Sequence, residues 1–178
     1  LLQFLETVFK PLYQDVSKWS EEQWPADNLQ DELPISRQTL SPSDFGFHNS
    51  ILRRDGTLCF LDFEYFGWDD PVKLIADFIW HPAMNLNDTQ KKRWLQKCFN
   101  IFGDSQQIEE RFHAAWPLYG LRWVMILLNE FRKEGWKKRV YVNEKLERLR
   151  EKNLKEQIKK ASTICRLIRS HQMDCLYV

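Results

Sequence analysis

The stretch LSPSDFGFHNSILRRDGTLCFLDFEYFGWDDP, residues 40–71, is the part of the chain where short apolar runs, a tight turn and acidic side chains come together. It contains two Asp-Phe pairs, the first at Asp44 and the second at Asp62, and Asn49 follows the first aspartate by five residues. Carboxylate and amide oxygens are the ligands that Mg²⁺ prefers in proteins. The spacing of these three side chains is therefore the first indication of what the chain does.

A β-hairpin is predicted between the two aspartates. The apolar runs on either side flank an Asp55-Gly56 pair, and Asp-Gly in such a setting is a strong signal for a tight turn. We expect residues 49–53 to pair with residues 58–62 as one short antiparallel hairpin. Asp62 would then end an apolar strand, where a buried carboxylate without a partner would be costly.

Most of the remaining chain has apolar residues at helical spacing. The predicted helices cover residues 1–19, the segment after Pro71, residues 88–103, residues 105–135 and residues 143–170. Pro117 lies inside the fourth of these, which is therefore either one bent helix or two. The predicted fold is mainly α with one small β-hairpin (α+β), in a single domain that spans residues 1–178.

The composition is that of a globular domain. Hydrophobic residues make up 43% of the 178 residues, which is enough for a core, and the net charge of +1 indicates no polyelectrolyte partner. The four cysteines form no Cys-x-x-Cys pair, which argues against a disulfide framework or a zinc site and favours the reducing cytoplasm. No apolar run approaches the ~20 residues that a membrane span requires, so no membrane partner is expected.

The order of the polar residues matches the needs of phosphoryl transfer. That reaction requires a carboxylate beside the acceptor hydroxyl and oxygen ligands that hold Mg²⁺ against the nucleotide phosphates. In the protein kinase signature the catalytic Asp precedes a metal-binding Asn by the spacing seen here, and the metal-binding Asp follows later. We therefore predict that Asp44 is the base and Asp62 a metal ligand, although it is Asp44 that precedes Phe-Gly.

With these motifs the sequence resembles the aminoglycoside phosphotransferase and choline kinase family, whose fold is kinase-like. The family shows a His-Gly-Asp loop ending in Asn, an apolar strand, a glycine turn, an Ile-Asp-Trp/Phe-Glu segment and a Gly-Asp-Pro before a helix. The counterparts here are Ser43-Asp44, Asn49-Ser50-Ile51-Leu52, Asp55-Gly56, Leu61-Asp62-Phe63-Glu64 and Asp69-Asp70-Pro71.

The resemblance implies the carboxyl-terminal lobe of a protein-kinase-like fold, which moves the γ-phosphoryl group of ATP to a hydroxyl group. In this comparison Asp44 is the catalytic base, Asn49 and Asp62 hold Mg²⁺, and Glu64 joins or orders the metal site. The catalytic loop and metal hairpin would lie in residues 40–71, and residues 72–178 would form the helical remainder.

Four further residues are expected to support the loop or line the substrate rim: Ser43, Asp69, Asp70 and Asp77. The adjacent pair, Asp69 and Asp70, can also provide N-caps for the helix that follows. Asp77 lies one helical turn beyond Leu74, where the family usually has an aspartate, and is the candidate to replace it. A second departure is Pro42, which stands where the family has a histidine that mainly supports the loop.

The amino-terminal nucleotide lobe of the family is absent from this sequence. Only 43 residues precede Asp44, and they contain no Gly-rich phosphate loop and no strand with an ATP-binding lysine. The chain begins at Leu1 rather than at a methionine. We therefore expect it to be a piece of a longer protein, with the nucleotide lobe upstream or in another chain, and we expect this piece alone to be inactive.

The histidines and the aromatic triplet are interpreted as structural. His48 suits neither Mg²⁺ nor the base role that Asp44 already fills. His81, His113 and His171 are scattered along the chain and are expected to be structural or exposed. Trp116, Tyr119 and Trp123 recur at helical spacing, which is more often typical of a core than of a pocket.

The charge distribution gives a hint about partners. Residues 44–88 contain 8 acidic and 3 basic side chains, whereas residues 132–169 contain 5 acidic and 14 basic ones. An acidic rim would attract a cationic acceptor such as an amino sugar or a choline-like amine, and a neutral sugar is the third candidate. The basic segment has interspersed Glu and is expected to be a solvated helix face.

Two other functions stay open at this stage. The chain could be a non-catalytic protein that kept a kinase-like lobe as a binding module. It could also be a helical nucleic-acid binder that uses the basic helix of residues 132–170, although we do not expect nucleic acid as a partner.

Overall fold

The computed structural model describes residues 1–25, 31–103, 105–132 and 149–170. Its α-helices are α1 (Leu2–Phe4), α2 (Lys10–Gln23), α3 (Pro71–Trp80), α4 (Asp88–Phe102), α5 (Ser105–Leu128) and α6 (Arg150–Ser170). Its strands are β1 (Thr39–Ser41), β2 (Ser50–Leu52), β3 (Leu58–Phe60) and β4 (Gly67–Asp69). The fold is mainly α with two small antiparallel sheets, which agrees with the predicted class.

The sheets differ in number from the prediction. Strands β2 and β3 form the expected hairpin, with Ile51 opposite Cys59, but it is shorter than residues 49–53 and 58–62. Strands β1 and β4 form a second antiparallel pair, with Leu40 opposite Trp68. The second pair was not predicted because strands of three residues are too short to show an alternating pattern. It joins the two ends of the central stretch and closes it into a compact unit.

The first helical segment is longer than predicted and has an irregular turn. Helix α1 passes through a π-helical stretch, Leu5–Phe9, directly into α2, so the helix extends past residue 19 to Gln23. The ring of Pro11 would clash with the carbonyl of Thr7 in a regular α-helix. A wider turn just before a proline relieves this clash.

Helix α5 is one continuous helix through Pro117, which answers the question of one helix or two. A proline inside a helix removes a backbone hydrogen bond. Two carbonyls near Pro117 accept hydrogen bonds from side chains of other helices. Ser20 Oγ donates to the carbonyl of Ala114 at 2.7 Å, and Trp80 Nε1 donates to that of Trp116 at 3.0 Å. These bonds fix α2 and α3 to the middle of α5.

The core is built around α5, which contacts α2, α3, α4 and α6. The largest fully buried side chains of the core include Phe112, Leu12, Ile75, Leu95 and Ile168. Two members of the predicted aromatic core, Trp116 and Trp123, are buried, whereas Tyr119 is only half-buried. No helix among the described residues is both long and apolar enough to cross a membrane.

The last helix is confirmed over Arg150–Ser170, with Ala161, Ile164, Cys165 and Ile168 buried against the core. The predicted start of this helix, residues 143–148, and the predicted extension of the preceding helix to residue 135 lie outside the described residues.

We expect Gly120→Ala to lower the free energy of unfolding by about 1–2 kcal/mol, because the usual cost of overpacking, about 1–3 kcal/mol, is only partly offset by helix propensity. A Cβ at this position would lie 2.8 Å from Cζ2 of Trp80 and 2.9 Å from Cδ1 of Ile168. This cost opposes the helix propensity, which favours alanine over glycine by about 1 kcal/mol. Urea denaturation measures the change, and Gly67→Ala, where a Cβ meets no atom within 4 Å, is the control. A Gly120→Ala variant as stable as the parent would contradict the close approach of α3 and α6 to α5.

Candidate functional site

The loop between β1 and β2 places Asp44 at the centre of the site. Ser43 has a positive φ of 65°, and the N–H of Asp44 donates to the carbonyl of Pro42 at 2.8 Å. This is a tight three-residue turn, a strained conformation for a residue other than glycine. Ser41 Oγ accepts from the N–H of Ser43 at 3.0 Å and holds the turn in place.

Three side chains face the carboxylate of Asp44. His48 Nε2 lies 3.0 Å from Oδ1, and Asn49 Nδ2 donates to Oδ2 at 3.2 Å and to the backbone carbonyl of Asp44 at 3.0 Å. His81 Nε2 lies 3.7 Å from Oδ1. The side chain of Asp44 is still 46% exposed, so a second molecule can reach it.

His48 and His81 form a pair that the sequence analysis assigned to no site. Their rings are stacked, with centroids 4.0 Å apart, and the edge of Trp123 packs against His81 at 4.5 Å. Burial, helped by the nearby His48, lowers the pKa of His81 to about 4, while Asp44 opposes this shift. His81 is therefore neutral at neutral pH. Its position beside Asp44 comes from the end of α3, and no sequence pattern signals it.

The tautomer of His81 follows from its other ring nitrogen. The backbone N–H of Ala83 points at Nδ1 from 3.1 Å, which makes Nδ1 the acceptor. Neutral imidazole then has its hydrogen on Nε2, the atom that faces Asp44. Asp44, His48 and His81 do bring one ligand atom each within 4.8 Å of one another. A protonated Nε2 cannot bind a metal ion, however, so this group is better suited to holding a carboxylate than a cation.

The loop is anchored by aromatic and sulfur contacts. Phe45 packs against Phe60, Phe78 and Trp94, with ring centroids 4.8, 5.7 and 6.2 Å away. At Gly46 a Cβ would lie 2.6 Å from Sδ of Met84 and 2.7 Å from the ring of His48. The residue after Asp44-Phe45 is therefore glycine because of close packing, which explains why the sequence Asp-Phe-Gly occurs here.

Asp62 and Glu64 follow β3 on the exposed side of the hairpin. The N–H of Leu61 donates to the carbonyl of Asn49 at 2.9 Å, which places Asp62 one residue beyond a backbone pair with Asn49. Asp62 has a positive φ of 62° and is exposed. The expectation that Asp62 lies at the buried end of a strand was wrong. The hairpin packs only partly on the helices and leaves its tip and the turn after β3 in solvent.

Tyr65 lies near the carboxylate of Glu64. The pKa of Tyr65 is raised first by a hydrogen bond and charge interaction with Glu64, then by desolvation, and to a smaller extent by the charges of Asp62 and Asp44. A carboxylate raises the pKa of a phenol because it destabilises the phenolate. The negative charges of the loop and hairpin therefore act on the hydroxyl group of Tyr65, with Glu64 as the main contributor.

The donor set fits a hard divalent cation. The carboxylates of Asp62 and Glu64 are exposed oxygen ligands. Asn49 uses its Nδ2 for Asp44, and within the described part of the chain its Oδ1 accepts no hydrogen bond. Mg²⁺ prefers all-oxygen sites with one or two carboxylates, completed by water and phosphate, so these residues are suited to hold it.

Ser43 and the aspartates around the start of α3 form a supporting network beneath the loop. Lys73 Nζ contacts Asp69, donates to Ser43 Oγ at 2.9 Å and lies 3.8 Å from Asp77. Asp70 accepts from the N–H of Val72 at 2.8 Å, which confirms it as the N-cap of α3. Its other oxygen pairs with Arg111 on α5, so the network fixes the loop to two helices.

Asp77 is the most buried member of this network. Arg122 Nη1 lies 2.6 Å from both of its oxygens, and Trp123 Nε1 donates to Oδ1 at 2.9 Å. Burial raises the pKa of Asp77, and the charge of Arg122 opposes that shift. These contacts fully engage Asp77, so it supports the site, whether or not it replaces the aspartate that the family has at position 74.

Comparison of the chain with protein-family models, curated proteins and solved structures finds no match.

We expect the stability of the chain to fall in mild acid because of His81. Its folded pKa of about 4 lies below the ordinary value near 6.5, so the unfolded chain binds the proton first as the pH falls. The stabilisation is complete above about pH 6.5 and is lost as the pH falls towards about 4. The loss should be about 1–3 kcal/mol, and His81→Gln should remove it.

Urea denaturation at several pH values between neutral and pH 4 measures the free energy of unfolding of the parent and of His81→Gln. The other titrating groups affect both proteins alike, so the difference between the two curves reports on His81. His113→Gln, a histidine on α5 away from Asp44, is the control. Equal acid sensitivity in the parent and in His81→Gln would show that His81 is not the group responsible.

Proposed function

We propose that the chain is the catalytic and acceptor-binding lobe of an ATP-dependent phosphotransferase that acts on the hydroxyl group of a small molecule. The main support is the contact of Asn49 with Asp44, in which Nδ2 of Asn49 donates to Oδ2 of Asp44 at 3.2 Å while the carbonyl of Asn49 accepts from Leu61, the residue before Asp62. One loop and hairpin therefore hold the proposed base next to a proposed metal ligand and lead directly to the second one.

Asp44 acts on the acceptor in this proposal. It is partly exposed and is held by His48 and Asn49, so its carboxylate has a fixed direction while remaining accessible. It orients the acceptor hydroxyl and takes its proton as the new P–O bond forms. His81 is a neutral neighbour whose Nε2–H faces Asp44, so it helps to orient that carboxylate without adding a positive charge.

Asn49, Asp62 and Glu64 are the residues that would hold Mg²⁺ through their side-chain oxygens. The bound ion supplies charge neutralisation for the β- and γ-phosphate oxygens of ATP. Asn49 has a second role, because its amide nitrogen donates to Asp44 and so couples the position of the metal ligands to that of the base.

The exposed apolar surface of the two sheets supports a partner lobe. Large apolar side chains that are about half exposed or more lie on or beside the strands: Leu40, Ile51, Leu52, Phe63, Phe66 and Trp68. Exposed apolar groups in such number mark an interaction site. We propose that a nucleotide-binding lobe, from upstream sequence or another chain, covers this surface and supplies most of the ATP contacts.

The acceptor candidates remain an amino sugar, a choline-like amine or a neutral sugar, and the location we propose is the cytoplasm. The cysteines that the structure describes are free, in agreement with a reducing compartment. Burial raises the pKa of Cys98 to about 12, so its thiol is unreactive.

A kinase-like binding module without activity is the second candidate. It is favoured by one observation, the lack of a nucleotide lobe in the described fold. The nucleic-acid alternative has little support, because the described part of the basic segment includes Glu151 paired with Lys155 at 2.7 Å, as expected of a solvated helix face.

A coupled ADP-release assay on the chain with its proposed nucleotide lobe, and on the chain alone, separates the two candidates. The substrates are amino sugars, choline-like amines and neutral sugars with Mg·ATP. We expect transfer by the assembled protein and little transfer by the chain alone. Absence of transfer from the assembled protein with every acceptor would favour the binding module, and robust transfer by the chain alone would show that no further lobe is needed.

A further inference from the structure

A recess in the surface lies between the end of α3, the α3–α4 connection and α6, next to the loop that holds Asp44. It has a volume of about 580 Å³, within the range of roughly 300–1,000 Å³ that small-molecule sites occupy. His81 forms part of its wall, so the recess adjoins the residue that faces Asp44. We call it the α3–α6 cleft.

The floor of the α3–α6 cleft is apolar and fixed. Trp80 and Trp116 are stacked with ring centroids 4.3 Å apart, and Trp80 is held by its bond to the carbonyl of Trp116. Ile164 and Leu167 of α6 continue the apolar surface, and Leu167 is 41% exposed towards solvent. A rigid aromatic floor with an exposed aliphatic edge favours the apolar body of a ligand.

The rim of the cleft is basic. Lys159 and Lys160 line it together with a single acid, Glu156, and a third lysine of the lining, Lys91, is paired with Asp88 at 3.8 Å. Within the described residues, Lys159 and Lys160 have no ion-pair partner. Both lysines are exposed, and they lie on α6 about one helical turn before the buried Ile164. An anionic group at the rim would gain their charge while an attached apolar group lies on the tryptophans.

We propose that the α3–α6 cleft binds an amphipathic anion, a molecule with an apolar chain or ring and one carboxylate or phosphate group. The charge of the cleft is opposite to that of the Asp44 region, so the cleft selects against the cationic acceptors considered above. This inference concerns binding by the chain as it stands and does not rest on the phosphotransferase proposal.

Isothermal titration calorimetry on the 178-residue chain with three matched probes tests the proposal. The probes are ω-hydroxydodecanoate, dodecanediol and ω-hydroxydodecylammonium, which share a long apolar chain with one hydroxyl end and carry a small anionic, neutral or cationic group at the other end. We expect the anion to bind at least about tenfold tighter than the cation, with the diol between them. Equal or tighter binding of the cation, or no binding of the anion, would overturn the proposal.

Two variants locate the binding site. The double change Lys159→Gln and Lys160→Gln should weaken binding of the anion about five- to tenfold and leave the diol unaffected. The matched double change Lys152→Gln and Lys155→Gln removes the same charge from α6 outside this cleft and should have less than a twofold effect. Equal losses in the two double variants would show that the anion responds to the charge of α6 in general, and the proposal would fail.

A third variant, Thr163→Trp, fills the cleft from its exposed wall. It should abolish binding of the anion and the diol alike, while its circular dichroism and denaturation profile confirm that it folds. A folded Thr163→Trp protein that binds the anion as tightly as the parent would place the binding elsewhere and contradict the assignment.

Discussion

Asp44→Asn should lower the turnover of the proposed phosphotransferase, assembled with a nucleotide lobe, by about 10²–10⁴-fold, the loss typical of removing a general base. The affinity for Mg·ATP should change little, because the role proposed for Asp44 is at the acceptor hydroxyl and not at the nucleotide. Asparagine has nearly the same shape and can still accept from His48, so the loop should keep its fold. Steady-state ADP release and a separate nucleotide titration measure the two quantities.

The control is Asp55→Asn at the turn of the hairpin. Asp55 is exposed and accepts from the N–H of Thr57 at 3.0 Å, at the far end of the hairpin, so the same chemical change there should leave turnover unaffected. Unchanged turnover in Asp44→Asn would rule out its assignment as the base. Equal losses in both variants would indicate a general effect of charge on the loop and hairpin.

Asp62→Ala should lower Mg·ATP affinity and turnover together, in contrast to Asp44→Asn. It removes a proposed metal ligand, and even the partners of metal ligands typically contribute 10–100-fold to affinity, so a loss of at least about tenfold is expected. Raising the Mg²⁺ concentration should restore part of the turnover, because the remaining oxygens of Asn49 and Glu64 can still bind the ion weakly.

The backbone at Asp62 requires a second variant. Its φ of 62° lies in the left-handed region, which costs alanine roughly 1–2 kcal/mol but is tolerated by Asp and Asn. Asp62→Asn removes the charge without this strain. A loss of Mg·ATP affinity in both variants, with stability lowered only in Asp62→Ala, supports the role as ligand. Unchanged affinity in both would remove Asp62 from the metal site.

The sequence predicted the parts of the fold that depend on local patterns. Asp55-Gly56 identified the hairpin, and helical periodicity identified α3 to α6. The β1–β4 pair was missed because each strand has three residues and their pairing bridges 25 intervening residues, from Ser41 to Gly67. No local signal encodes such a pairing, which forms only because the ends of the central stretch are brought together.

The sequence indicated only those neighbours in the candidate site that lie close along the chain. Asp44 and Asn49 are connected by a short loop, and the structure brings their side chains into contact, whereas the roles predicted for them and for Asp62 stay predictions. His81 reaches Asp44 from the end of α3, 37 positions away, through the packing of α3 against the loop. The exposure of Asp62 was also missed, because an apolar strand sequence does not show whether the fold covers that strand.

Magnetic resonance of the ¹⁵N-labelled chain with Mn²⁺, a paramagnetic substitute for Mg²⁺, shows whether the hairpin holds a metal ion. We expect weak binding in the absence of ATP, with amide signals broadened first at Asn49, Asp62 and Glu64, and with the broadening lost in Asp62→Asn. Competition by Mg²⁺ should restore the signals. Broadening centred instead on His48 and His81, or spread evenly over the acidic residues of the surface, would contradict an assembled metal site on this hairpin.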